Sequence, residues 1–242
     1  MNRPADLFRA PLVVGTIHSP AALQCALRLD PGRVDVLELR VDAFCEDPLS
    51  LDALQRAVPF LRAPLLLTVR HPEEGGMAPN LARDRRCALF RQFLPLVQWV
   101  DFEVRSLDVL AEEIAYASEL GVRTIVSDHH FAGTPALDLL EERFALAQCC
   151  RPSLVKVAAT VTTPTDLARL LEFLNERQRQ APGQLSVMGM GPYGQVSRLV
   201  LGSCGSVLNY GYLDRAQVPG QWPAELLKVR LGELLGTAQA NP

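Results

Sequence analysis

Short runs of apolar or alternating residues, each of strand length, recur along the whole chain, and each is followed by a stretch of helical periodicity and a turn signal. The strand candidates are Leu12 to Ile17, Val34 to Val41, Leu65 to Val69, Trp99 to Val104, Arg123 to Ser127, Leu154 to Ala159, Leu185 to Gly189 and Ser206 to Tyr210. Between them lie segments such as Leu107 to Leu120, Leu137 to Cys149, Asp166 to Gln178 and Ala224 to Leu235, rich in Leu, Ala, Glu and Arg. Thr163-Pro164-Thr165-Asp166 and Thr134-Pro135 read as helix starts with proline in the first turn. Strands strictly alternating with helices over 242 residues predict an α/β fold, a closed (β/α)8 barrel of the TIM type rather than an open doubly wound sheet. Neither a low-complexity linker nor a charge block divides the chain, so one domain over residues 1–242 is expected.

The polar residues inside these strands fall on one parity. A barrel strand sends alternate side chains into the lumen and toward the helices. Glu38 and Arg40 oppose Leu37, Leu39 and Val41, and Thr68 and Arg70 oppose Leu65, Leu67 and Val69. Asp101, Glu103 and Arg105 oppose Val100, Phe102 and Val104; Ser127 goes with His129, and Lys156 opposes Val155 and Val157. Charged groups are therefore expected to converge inside the barrel toward the C-terminal ends of its strands, the face on which barrel enzymes build their sites. So many buried charges require a ligand or a dense ion-pair network to compensate them.

Composition sharpens one of these positions. Among the 24 basic residues only Lys156 and Lys228 are lysine, the others being arginine. A lysine kept within Leu154-Val155-Lys156-Val157-Ala158-Ala159 suggests chemistry that arginine cannot perform, since only the amine can shed its proton and attack a carbonyl. A Schiff-base lysine and a strand-end lysine snorkelling to solvent are both compatible with this stretch alone. The net charge of −3 and the lack of a basic patch with interleaved aromatics argue against nucleic acid as a partner. Met1 to Ala10 holds no apolar run of signal-peptide length, and no segment approaches the roughly 20 apolar residues of a membrane span, so a soluble cytoplasmic protein is expected. Cys25, Cys45, Cys87, Cys149, Cys150 and Cys204 show no metal-ligand spacing; they are expected to be reduced core or helix residues, with no bound metal. Gly189-Met190-Gly191-Pro192-Tyr193-Gly194 has the letters of a dinucleotide loop, but Pro192 and its late position favour a glycine turn before a helix. Gly75-Gly76, after Glu73-Glu74, reads as a mobile loop able to act as a lid.

Taken in order, Glu38-Leu39-Arg40-Val41-Asp42, Thr68-Val69-Arg70 with Glu74-Gly75-Gly76, Asp101-Phe102-Glu103, and Ser127-Asp128-His129-His130-Phe131 with Thr134-Pro135 form a recognisable set. Val155-Lys156-Val157-Ala158, Met188-Gly189-Met190 through Ser197-Arg198, Gly205-Ser206 and Pro219-Gly220-Gln221 complete it. The set resembles type I 3-dehydroquinate dehydratase from the first strand to the last loop. The resemblance implies a (β/α)8 barrel without cofactor, a homodimer, and syn elimination of water from 3-dehydroquinate to give 3-dehydroshikimate. It implies that Lys156 forms the imine and that His129 is general base and then acid, with a pKa near the unperturbed ~6.5. Glu74 would orient the imidazole as a carboxylate, and burial with a nearby arginine would lower the pKa of Lys156. Arg198 would clamp the substrate carboxylate, while Glu38, Arg40 and Arg70 bind hydroxyls and Gln221, with Gln217, belongs to a closing loop. For each arginine the competing reading is a structural ion pair, Arg40 foremost.

The chain departs from that pattern in places. His130 stands where aspartate is usual, and parity selects His129 as the catalytic member of the pair. The lid reads Gln217-Val218-Pro219-Gly220-Gln221 in place of serine, alanine, proline, glycine, glutamine. Tyr210 replaces a phenylalanine and Asn209 a threonine, making the pocket wall more polar. The altered lid leaves open an imine-forming lyase or aldolase for another hydroxyketone, or a catalytically silent relative that binds a polyhydroxy carboxylate.

Overall fold

The computed structural model describes residues 11–236; Met1 to Ala10, expected to lack a signal-type run, and residues 237–242 lie outside the described residues. Strands and helices alternate throughout: β1 (Leu12–Ile17), α1 (Pro20–Arg28), β2 (Val36–Arg40), α2 (Pro48–Ala57), β3 (Leu65–Thr68), α3 (Arg83–Phe93), β4 (Trp99–Glu103) and α4 (Ala111–Glu119). They continue with β5 (Arg123–His130), α5 (Leu137–Gln148), β6 (Leu154–Thr160), α6 (Pro164–Gln180), β7 (Leu185–Met190), α7 (Gly194–Ser203), β8 (Leu208–Tyr212) and α8 (Ala224–Leu234). All strand pairs are parallel, in the order β7-β6-β5-β4-β3-β2-β1-β8. The expected (β/α)8 architecture is present as a single TIM-barrel-like domain.

The barrel closes between β7 and β8, and side-chain hydroxyls do much of the joining. Ser206 Oγ accepts from the Val187 amide and donates to the Val187 carbonyl, each at 2.9 Å, and Ser186 Oγ accepts from the Leu208 amide at 2.7 Å. A single backbone bond, Val207 to Leu185 at 3.1 Å, supports them. Ser206 thus precedes β8 instead of opening it, because its hydroxyl and not its backbone meets the neighbouring strand.

Two apolar layers hold the barrel. Outward-facing residues of β1 to β4 pack on α1 to α3 around Phe90, Phe93 and Phe102, and those of β5 to β7 pack on α5 and α6 around Phe173 and Leu170. Inside, Val14, Val36, Leu66, Trp99, Ile125 and Leu154 plug the N-terminal end of the lumen. Polar residues are left to the opposite end. Pairings Thr16 with Glu38, Arg40 with Thr68, Thr68 with Asp101, Glu103 with Ser127 and Ser127 with Lys156 carry them round the ring.

Thr163 caps α6 in a reciprocal box with Asp166, as its sequence predicts. Thr134 does not cap α5: the helix begins at Leu137, and Thr134 Oγ1 donates instead to the Thr160 carbonyl at 2.8 Å, tying the loop after β5 to the end of β6. Arg105, assigned to the lumen by parity, lies on the surface paired with Glu73, because β4 ends at Glu103 and a short 3-10 turn rotates the chain. All six cysteines are free; Cys25, Cys45 and Cys87 are half-buried, whereas Cys149, Cys150 and Cys204 are exposed and not core residues. No helix of the described residues is long and apolar enough to cross a membrane.

The seam makes a testable demand. Ser206→Ala leaves the Val187 amide and carbonyl without partners at a fully buried site. A loss of about 2 kcal/mol is expected in urea unfolding, whereas Ser203→Ala, which removes one bond within a helix end, should cost under about 0.5 kcal/mol.

Candidate active site

Lys156 occupies the middle of β6 with both flanking valines turned to the helices, so parity alone directs its side chain inward. It is buried, and its Nζ donates to Asp101 Oδ2 at 3.2 Å while lying 4.4 Å from the centre of the Tyr210 ring. The outward, snorkelling alternative is excluded. Burial pulls the Lys156 pKa down, Asp101 opposes this, and Arg70 adds to it; the net shift is downward, as expected.

Asp101 is the junction of the lumen. Its carboxylate accepts two bonds from Arg70, at 3.0 and 2.9 Å, one from Ser127 at 2.5 Å and the one from Lys156. Burial alone would raise this carboxyl, yet Arg70 and Lys156 hold it far below the ordinary carboxylate range. Arg70 also donates to Glu103 at 3.0 Å and to Ser127 at 2.8 Å, so most of its donors are engaged before any ligand arrives. Of the arginines expected to touch ligand, Arg70 is therefore at least as much a structural ion-pair residue as Arg40. Glu103 is in turn clasped by Arg86, reaching in from α3 to bond the Val69 carbonyl and Ser106 as well.

His129, next to last in β5, shares the parity of Ser127, and its Nδ1 lies 2.8 Å from Glu74 Oε2. Glu74 arrives on a short 3-10 turn after β3 whose following residue, Gly75, has φ +81°. That segment is not the free loop its glycines suggest: Arg40 donates to the Gly75 carbonyl at 3.1 Å, and the Met77 amide donates to Asp42 at 2.9 Å. Asp42 also grips Arg40 at 3.0 and 2.8 Å, a role not assigned to it from sequence. Both members of the His129 and Glu74 pair are shifted from the values expected for them. Burial, with Arg70 and Lys156 nearby, pushes the His129 pKa well below its ordinary value. Burial, reinforced by the carboxylates of Glu103 and Asp128 against the pull of Arg70, pushes Glu74 up to about 8. Both shifts favour the uncharged form of each partner across this 2.8 Å contact.

His130 faces elsewhere. Its Nε2 lies 2.8 Å from Asp128 Oδ2, and Arg143 holds the same carboxylate at 2.9 and 2.8 Å. Only His129 of the two opens onto the cavity at the barrel mouth, a space of about 450 Å³. Lys156, Glu74, Glu38, Arg40, Arg70, Arg198, Gln217 and Gln221 line it too, so every residue selected from sequence is brought together. Glu38 accepts from Thr16 at 3.1 Å and from Thr68 at 2.8 Å. Arg198, buried in the middle of α7, donates to the Tyr210 carbonyl at 2.7 Å, leaves Nε unpartnered, and is lowered to about 10 by burial with no counter-charge. The lid closes the roof: the Gln217 amide donates to Gln221 Oε1 at 2.7 Å, and Arg40 donates to Gln217 Oε1 at 3.3 Å. Gly220, at φ +85°, lets the lid lie on Gly194, where an added Cβ would sit 2.6 Å from its Cα.

The family model of type I 3-dehydroquinase matches residues 11–235. The chain belongs to the type I 3-dehydroquinase family. The 3-dehydroquinate dehydratase of Albidiferax ferrireducens is 32% identical over 98% of this chain and 92% of its own length. That of Aquifex aeolicus is 34% identical over 79% and 84%. Among solved structures, a type I 3-dehydroquinate dehydratase of Clostridium difficile with covalently modified comenic acid superposes with a TM-score of 0.84 at 27% identity, covering 94% of each chain.

Three neighbours of this 3-dehydroquinase site escaped sequence reasoning. His18 and Thr16 share the parity of Val14 in β1, a signal that could have found them. Arg86 shows no such signal, since it comes from a helix. His18 is buried, with no hydrogen-bond partner on either ring nitrogen and Asp214 Oδ1 3.4 Å from Nε2. Among the described residues no cluster of His, Cys, Asp and Glu could hold a metal ion.

The pair titration can be checked directly. As pH rises through about 8 the pair loses the Glu74 proton, leaving Nδ1–H donating to a carboxylate and Nε2 with a free lone pair. The ring nitrogen shifts of His129 should therefore change near pH 8 and stay constant near 6.5. In Glu74→Gln, where the amide carbonyl accepts from Nδ1–H at every pH, the change near 8 should vanish.

Proposed function

We propose that this chain is a hydro-lyase that converts 3-dehydroquinate to 3-dehydroshikimate by syn elimination of water, without a cofactor, through an imine on Lys156. The observation that carries the reading is the joint opening onto one cavity of the Lys156 amine, the His129 ring and the Arg198 guanidinium, whose charge no carboxylate offsets. The names of the relatives and the covalently modified ligand of the Clostridium difficile structure support it.

The neutral Lys156 amine adds to the substrate ketone, and uptake of one proton from solvent with loss of one water gives an iminium. The iminium draws electrons from the adjacent C–H bond, whose proton passes to His129 Nε2, leaving an enamine. Collapse of the enamine expels the β-hydroxyl, which leaves as water with the proton His129 had taken. A second water then hydrolyses the conjugated iminium, freeing product, the neutral amine and the proton taken up when the iminium formed. Asp101 has a double part: its charge favours the iminium, while the two bonds it takes from Arg70 moderate its hold on the free ammonium.

Arg198 presents the donor fork for the ring carboxylate, and Glu38 and Arg40, with Gln221 and Gln217 above, meet the hydroxyls. Arg70 acts mainly by its field, since most of its donors are engaged. For His129 to accept a proton at Nε2 the Glu74 pair must first lose one, so kcat/KM should rise with pH toward a plateau beyond about 8. The family resemblance supports a homodimer acting in the cytoplasm, and sedimentation of the purified protein would test the dimer.

Incubation with 3-dehydroquinate and borohydride should add a reduced substrate adduct to Lys156, located by mass mapping, while enone absorbance reports turnover; an unlabelled lysine in a protein that turns over would exclude the imine route. His129→Ala should lower turnover by at least about 10²-fold yet still be trapped on Lys156, whereas His130→Ala keeps most activity. The opposite ranking would move the acid and base role to His130.

A further inference from the structure

Tyr210 lies on β8 with its side chain in the lumen, on a cavity wall shared with Glu38, Arg198 and Lys156. Its backbone carbonyl and its ring each have a partner: the carbonyl accepts from Arg198, and the ring face meets Lys156 Nζ at 4.4 Å. Its hydroxyl has none. The Tyr210 Oη is fully buried and makes no hydrogen bond, although the residue is 4% exposed and borders an open cavity. A buried phenol without a partner costs stability, and a phenylalanine would fill the same space without that penalty. The chain therefore carries a polar atom that the free protein does not use, on the residue whose ring faces the Lys156 amine.

We propose that the Tyr210 hydroxyl is a specificity-determining contact, donating a hydrogen bond to an oxygen of the bound cyclic hydroxy-ketone carboxylate near its imine carbon. Burial and the carboxylates of Glu38 and Asp101 keep the phenol protonated, so it serves as a donor to a neutral or anionic ligand oxygen. The ring meanwhile offers its negative face to the ammonium or iminium nitrogen, 4.4 Å from its centre, so the same residue carries both the ring contact and the unpartnered hydroxyl. The contact discriminates by the asymmetry of hydrogen bonding: a ligand lacking that oxygen leaves the phenol stranded, and one bearing it relieves the penalty. This inference rests on the 3-dehydroquinate reading of the same site.

Tyr210→Phe separates this role from a structural one, because the two predict opposite signs. Removing an orphaned hydroxyl should leave the melting temperature of the free protein unchanged or raised, while KM for 3-dehydroquinate rises roughly tenfold, the worth of one neutral hydrogen bond, and kcat stays within about threefold. The melting shift produced by saturating 3-dehydroquinate should shrink in parallel, and borohydride should still trap the variant on Lys156. An unchanged KM in Tyr210→Phe, with the parent protein active, overturns the inference and leaves the dehydratase reading intact. A lowered melting temperature with unchanged KM does the same and makes the hydroxyl structural. A parent protein that neither turns over nor is trapped defeats the dehydratase reading, and this inference with it.

Discussion

The bidentate contact between Arg70 and Asp101 is the interaction on which the site depends. Asp101 is wholly buried at the centre of the barrel, and it remains an anion only because two guanidinium donors, a serine hydroxyl and an ammonium converge on it. Removing one member would strand the others in a medium that penalises unpaired charge severely. The same requirement ties β3, β4, β5 and β6 together at the level where the substrate is expected to bind.

From that anchor the charges extend outward in steps. Arg70 reaches Glu103, Glu103 is held by Arg86 from α3, and the Asp42 carboxylate fixes Arg40, which in turn receives the glycine turn and the lid glutamine. Arg198 stands apart from this network, with no carboxylate offsetting its burial. An uncompensated cation beside a cavity is where an anionic ligand group gains most, because its arrival supplies the missing partner.

Burial also decides protonation, against what the residue types alone suggest. A histidine next to a glutamate looks like an ion pair, and in water it would be one. Here both are enclosed among arginines and carboxylates, and burial shifts each toward its uncharged form, with the glutamate raised to about 8. The same desolvation that lowers the imidazole also lowers the pKa of the lysine.

Much of this was legible in the linear chain because barrel strands have a strict two-residue period. Alternation placed Glu38, Arg40, Arg70, Asp101, Ser127, His129 and Lys156 in the lumen, and the order of motifs pointed to the family. What alternation could not reach lies beyond the strands. Arg105 follows a 3-10 turn that breaks the period, Arg86 enters from a helix, and Thr134 bonds across to β6 where its letters suggest a cap. The protonation of Glu74 and His129, the engagement of Arg70 and the unpartnered hydroxyl of Tyr210 were decided only by the tertiary structure. Each depends on how completely water is excluded and on which charges approach from other strands, and neither quantity is a property of neighbours in sequence.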